Sequence, residues 1–253
     1  MSYRDNTLRE LEVWREKMLS EPSLFEDYSK RFQNRINKII PEKIHQAITA
    51  TIKQMIRGVL FGAGVTTGKF EKDVSLQVRD ALAEEKIRWY QTTAAAEGGL
   101  TGAGGILWGL ADFPLLIGVK IKLLFEIAIL FGYDVKDYKE RLYLLYIFQL
   151  SFSGPQHRKN IFLKMMNWKE QREQLPENID QFDWRNLQQE YRDYIDIAKM
   201  AQLIPVVGAP VGAIVNYRLI KRLGTTARSA YKLRWMEGGD EPVRNAINQQ
   251  ALQ

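Results

Sequence analysis

Five basic residues near the carboxyl end of the chain have the spacing of one helical face. If the stretch from Arg218 to Trp235 forms a single helix, a rotation of about 100° per residue places them within roughly a third of its circumference. These residues are Arg218, Lys221, Arg222, Arg228 and Lys232. A cationic face of this kind can bind the phosphates of anionic lipid headgroups. The alternative is the solvated side of a packed helix, which is what a run of charges usually forms.

The opposite side of the same stretch is apolar and is expected to be buried. Its residues are Leu219, Ile220, Leu223, Ala227, Ala230 and Tyr231. Gly224 would spoil this geometry if it broke the helix. Nucleic acid competes as a partner for the same charge, but no nucleic-acid-binding motif is present, and aromatic residues near the basic ones are few. The sequence therefore argues against nucleic acid.

Three carboxylates, Glu97, Asp112 and Glu126, lie within apolar sequence. A buried carboxylate must be paired or protonated, so each of them is a candidate for catalysis. A hydrolase-type enzyme that uses Asp112 is thus the alternative to a binding function. A simpler explanation is that Asp112 caps a helix, because Asp112-Phe113-Pro114 has the residue types of a helix start.

Other catalytic and metal-binding motifs are incomplete. The stretch from Ala63 to Phe70 resembles a phosphate-binding loop, but Ala63 replaces its first glycine and Phe70 replaces its hydroxyl residue. His45 and His157 lie far apart without ligand spacing. The absence of cysteine excludes disulfides, thiolate zinc sites and cysteine nucleophiles. We therefore expect no metal and no cofactor, and we prefer a non-enzymatic function to the hydrolase alternative.

Three glycine-rich apolar segments must position these residues, at 58–68, 98–118 and 203–217. Small residues spaced three or four apart let helices approach closely. The stretch from Gly98 to Gly132 contains four charged residues, Asp112, Lys120, Lys122 and Glu126. Pro205 and Pro210 interrupt the third segment, so neither stretch makes a convincing membrane span. Close helix packing is the preferred interpretation, and shallow membrane insertion is the second.

Helical periodicity runs through nearly the whole chain, and strand alternation is scarce. We predict an all-α fold, with one multi-helix domain at residues 1–237 and a polar tail at 238–253. The predicted helices include 72–90, 139–149 and 218–235, with Gly132 ending a long apolar helix and an exposed loop near 175–178. The net charge of +6 suits an anionic partner surface. The charged amino terminus lacks the apolar run of a secretion signal, which predicts a cytoplasmic location.

Several blocks of the sequence resemble the EcsC protein family, over a region extending roughly from Leu8 to Trp235. They are 40–45 leading into 57–62, the glycine cluster 98–105 with 112–114, 131–134, 204–208 with Gly212, 216–217 and 231–234. The resemblance implies a largely helical protein encoded alongside the ATPase and membrane subunits of an ABC transporter. It supplies no catalytic residues. We therefore expect a non-enzymatic accessory protein, peripheral on the cytoplasmic face of the membrane, whose partners are the anionic membrane surface, ABC transporter subunits or both.

Overall fold

A computed structural model describes residues 2–20, 50, 53–59, 74–102, 105–181, 183 and 208–236. This part of the chain is helical apart from turns and contains no β-strand, which confirms the predicted all-α fold. The helices are α1 (Tyr3–Leu19), α2 (Leu76–Gly102), α3 (Gly105–Leu130), α4 (Tyr138–Phe152), α5 (Pro155–Met166), α6 (Trp168–Gln174) and α7 (Gly208–Met236). Residues 53–59 are also helical, and a 3-10 turn, Ile179–Gln181, follows α6. The predicted tail lies outside the described residues.

Helix α1 begins where its sequence satisfies the free backbone groups of the first turn. The Ser2 hydroxyl accepts a hydrogen bond from the Asp5 N–H at 3.2 Å, and the Asp5 carboxylate accepts one from the Ser2 N–H at 3.0 Å. This reciprocal pair is a capping box. Asp137 caps α4 in a related way, since its side chain accepts from the Lys139 N–H at 2.9 Å.

Helix α3 ends at the glycine that the sequence indicates. Gly132 has a φ of 95°, a left-handed conformation that favours glycine. The Gly132 N–H donates to the Ile129 carbonyl at 2.9 Å, and the Tyr133 N–H donates to the Ala128 carbonyl at 3.0 Å. These bonds form a Schellman motif, and the predicted stop at Gly132 is confirmed.

The predicted start of α3 at Asp112 is wrong. The helix begins at Gly105, so Asp112 and Pro114 lie in its interior. The apolar sequence continues the helical pattern on both sides of Pro114, whose missing N–H removes a single hydrogen bond. The helix predicted at 72–90 has both ends too early. Helix α2 begins at Leu76 and extends to Gly102, so it includes the start of the second glycine-rich segment.

Helices α2 and α7 form the centre of the described structure and run antiparallel. Asp80 near the start of α2 pairs with Arg228 near the end of α7, and Ile87 further along α2 lies against Gly224. A Cβ atom at Gly224 would stand only 2.5 Å from the Cγ1 atom of Ile87. The glycine therefore permits close packing, and α7 continues through it unbroken.

The apolar side of α7 is buried, as its periodicity predicts. Ile220, Leu223, Ala227 and Tyr231 are completely inaccessible to solvent. They belong to a core that also takes in residues of α2, α3, α4 and α5. In the part of the chain that the structure describes, no helix has both the length and the apolarity needed to cross a membrane.

Candidate functional site

The amino-terminal half of α7 exposes basic and apolar side chains along one face. Arg218, Lys221 and Arg222 are exposed, and so are Ile214 and Tyr217, at 52% and 42% of their surface. Residues spaced at i, i+3, i+4, i+7 and i+8 share one side of a helix, and these five residues follow that spacing. We refer to them as the exposed α7 face.

The carboxyl-terminal half of the same helix has its charge neutralised. Arg228 donates hydrogen bonds to both carboxylate oxygens of Asp80, and its Nη2–Oδ2 distance is 2.8 Å. The Lys232 ammonium lies 3.1 Å from Asp80 Oδ2. Lys232 is 3% exposed and Asp80 is 4% exposed. These two cations therefore hold α2 and α7 together and do not face solvent as an open basic surface.

Helix α1 covers this neutralised region and adds two contacts to it. The Tyr3 hydroxyl donates to Asp80 Oδ2 at 2.8 Å, and the Lys232 ammonium lies 3.0 Å from Glu10 Oε2. Glu84 contributes a longer ion pair of 3.6 Å to Arg228 Nη2. The five residues predicted as one cationic face are thus divided by the structure into an exposed group of three and a pair that is bound to acids.

The carboxyl group of Asp80 is held in its ionised form. Burial alone would raise its pKa, but hydrogen bonds from Arg228 and Tyr3, together with the charges of Arg228 and Lys232, lower the pKa below its ordinary value of 3.8. A buried carboxylate is stable as an anion only when it is paired in this way. The acid therefore serves as the counterion of α7.

A second buried network holds the end of α7 against α4. The Arg234 guanidinium carbon lies 4.1 Å from the ring centroids of both Tyr133 and Tyr143. Its Nη1 atom donates to the two carboxylate oxygens of Glu140 at 3.0 and 3.1 Å, and the Tyr231 hydroxyl donates to Oε1 of the same residue at 2.7 Å. Burial first, and then the Glu140 charge, raise the pKa of Tyr231 far above its ordinary value, so it remains a donor.

The side of α7 opposite the exposed α7 face is fixed to α3. The Lys120 ammonium donates to Asn216 Oδ1 at 3.3 Å, and both residues are almost completely buried. Asn216 lies between Ile214 and Tyr217 in the sequence but points into the protein. This contact therefore determines which side of α7 can meet a partner.

Of the three carboxylates considered for catalysis, Glu126 is the one whose side chain the structure describes, and it makes a contact between two helices. Glu126 accepts a hydrogen bond from Tyr90 at 2.8 Å and pairs with Lys86 at 3.3 Å, so it joins α2 to α3. The side chains of Asp112 and Glu97 lie outside the described residues. Within the ranges that are described, no three acidic or histidine side chains converge as ligands for a metal ion.

The phosphate-loop-like segment at 63–70 and His45 also lie outside the described residues.

The sequence analysis did not identify Asp80, the acidic partner of Arg228 and Lys232, although its spacing on α2 indicates burial. Asp80 precedes Ala83 and Ile87 at i+3 and i+7, which places a carboxylate on the buried face of an amphipathic helix. Such a position predicts a buried cation nearby. Ile214 and Tyr217 were missed because an apolar residue in an apolar segment gives no sign of exposure.

Comparisons with known proteins identify the family of the chain. Residues 5–236 match the EcsC protein family. The chain is 45% identical over 233 residues to Protein EcsC of Bacillus subtilis (strain 168), covering 91% of this chain and 96% of that protein. It is 26% identical over 247 residues to the uncharacterized protein YdbA of the same strain, with 90% of each chain covered. No solved structure matches. Because the match to the family spans nearly the whole sequence, the chain belongs to the EcsC protein family.

Proposed function

We propose that this chain is a non-enzymatic accessory protein of the cytoplasmic face of the membrane, and that the exposed α7 face binds anionic lipid headgroups. The observation that carries the proposal is the exposure of Arg218, Lys221 and Arg222 on one side of a helix whose other side is buried. Each Lys or Arg held near an anionic bilayer adds about 1 kcal/mol of attraction. Three such residues therefore supply roughly 3 kcal/mol.

The rest of the molecule supports the same partner. The net charge of +6 favours approach to a negative surface. Two other basic residues of α7, Arg228 and Lys232, are paired with acids, and the basic side chains of this helix that are exposed lie in its amino-terminal half. The proposal includes ABC transporter subunits as protein partners, because membership of the EcsC family links the chain to that class of protein by association.

Vesicle flotation tests the lipid part of the proposal. Wild-type protein is mixed at low salt with vesicles of phosphatidylcholine alone or of phosphatidylcholine and phosphatidylglycerol. We expect flotation with the anionic vesicles only. Replacing Arg218, Lys221 and Arg222 together by alanine removes roughly 3 kcal/mol of attraction, so partitioning falls roughly 100-fold.

A matched control is available on α1. Arg9, Arg15 and Lys17 are also two arginines and one lysine, and all three are exposed. Replacing these three by alanine changes the net charge equally and leaves the exposed α7 face intact. Equal losses in the two triple variants would show that total charge alone drives attachment and would overturn the assignment to α7, as would a wild-type protein that floats with neither kind of vesicle.

Membrane fractionation tests the transporter part. If the headgroups alone retain the protein, its membrane fraction is the same in cells with and without the transporter subunits and falls after a high-salt wash. If transporter subunits take part, their deletion lowers the membrane fraction. Fractionation and flotation together therefore separate the retention that is due to lipid headgroups from the retention that is due to transporter subunits.

A further inference from the structure

We infer, building on the proposed function, that α7 meets the bilayer at an angle, with its amino-terminal end deeper, and that Ile214 and Tyr217 insert among the lipids as a shallow anchor. Both side chains are about half exposed, although both are apolar or aromatic. Aromatic residues such as tyrosine are favoured at the membrane interface, where one end of the side chain is apolar and the other is wet. Basic residues beside them extend their charged ends to the headgroups.

The order of residues along α7 gives the direction of the tilt. Ile214 and Tyr217 precede Arg218, Lys221 and Arg222, and a rise of 1.5 Å per residue separates Ile214 from Arg222 by about 12 Å along the axis. The apolar end and the cationic end of the exposed α7 face therefore lie at different depths when the helix is inclined. The sequence before this face continues the trend, since residues 200–217 carry no charged side chain.

The carboxyl-terminal end of α7 makes an orientation of the helix parallel to the bilayer surface unfavourable. Beyond Arg222, the same face meets the acids of α1 and α2, of which Glu10 and Glu84 have side chains 63% and 47% exposed. An anionic bilayer repels these carboxylates, so the carboxyl-terminal end of α7 stays away from the surface. The buried contact between Lys120 and Asn216 keeps the opposite side of the helix against α3.

The absence of cysteine allows a direct test by single labels. Ile214→Cys, Thr225→Cys and Leu163→Cys each place one nitrobenzoxadiazole probe on an exposed position, the first two on α7 and the third on α5. With anionic vesicles, we expect a blue shift and quenching by acyl-chain nitroxides at 214, weaker quenching at 225 that favours headgroup nitroxides, and no change at 163. Equal quenching at 214 and 225 would overturn the tilt.

Salt separates the anchor from the headgroup attraction. Once the protein is bound, we expect the wild type to resist release by high salt more than a variant with Ile214→Ser and Tyr217→Ser. The expected difference in partitioning is about tenfold.

The outcomes separate the anchor from the proposed function. Flotation without any spectral change at 214 would overturn the inserted anchor and leave the proposed function standing. A failure of every labelled protein and of the wild type to float would overturn the proposed function itself. A shift that appears only when the vesicles carry transporter subunits would assign this face to a protein partner and overturn the inference.

Discussion

Arg228 donates two hydrogen bonds to the carboxylate of Asp80, one from Nε and one from Nη2 at 2.8 Å. The pair joins the first turns of α2 to the last turns of α7, and Lys232 adds a second cation at 3.1 Å. A single buried carboxylate thus balances two basic side chains of α7, whereas Arg218, Lys221 and Arg222 in the amino-terminal half of the helix are exposed. The pair therefore sets the boundary between the structural and the exposed half of α7.

Removal of the Asp80 charge is expected to destabilise the fold strongly. In Asp80→Asn, Arg228 and Lys232 lose their shared buried counterion, and breaking a buried pair from one side costs about 3–5 kcal/mol. The measurement is the free energy of unfolding from denaturant titration followed by circular dichroism. Glu84→Gln is the control, because its side chain is 47% exposed and its ion pairs are worth less than about 1 kcal/mol. A loss in Asp80→Asn no larger than in this control would contradict the prediction.

The same carboxylate predicts a loss of stability in acid. The folded-state pKa of Asp80 lies below its ordinary value of 3.8, so its contribution is complete above that value and is lost as the pH falls through the lower folded pKa. The free energy of unfolding is measured across this acidic range in the wild type and in Asp80→Asn. We expect a flatter pH dependence in the variant, whereas parallel curves would show that Asp80 takes no part in the transition.

The fold was largely predictable from the sequence because periodicity reports burial directly. The apolar side of α7, from Ile220 to Tyr231, follows from spacing alone and is buried as expected. Gly132 was also recognisable, because a left-handed residue after an apolar helix favours glycine. The start of α3 was not, since Asp112 and Pro114 carry the same signal in a helix interior as at a helix start.

The site was only partly predictable, because charge pairing depends on contacts between distant parts of the chain. The spacing of the five basic residues placed them on one face correctly. Whether each one meets solvent or an acid depends on α2 and α1, which reach Arg228 and Lys232 through tertiary packing. Local periodicity contains no information about which helix covers which half of α7.

Arg234 is expected to resist replacement by lysine. Its planar guanidinium lies between the Tyr133 and Tyr143 rings while it hydrogen bonds to Glu140, and a lysine ammonium cannot stack in this way. Two buried cation–π contacts are weakened, so Arg234→Lys should lower the free energy of unfolding by about 1–3 kcal/mol. Arg88→Lys is the control, because that arginine makes an exposed pair with the preceding helical turn. Equal stability of the two variants in a denaturant titration would argue against a stacking role.

Close packing between α2 and α7 predicts that Gly224→Ala is destabilising although alanine favours helices. The new Cβ atom would stand 2.5 Å from the Cγ1 atom of Ile87. The Ile87 side chain is branched and buried in the core, so it has little room to move. Overpacking of this kind costs about 1–3 kcal/mol, which exceeds the gain of about 1 kcal/mol in helix propensity. Gly118→Ala in α3 is the matched control. A Cβ atom at position 118 meets nothing within 4 Å, so this substitution should stabilise the protein by about 0.5–1 kcal/mol.

A double-mutant cycle of unfolding free energies tests whether the contact with Ile87 causes the loss. In the Ile87→Ala background the clash disappears, so adding Gly224→Ala should cost nothing further. Additive losses in that cycle would show that the glycine is not required by its contact with Ile87.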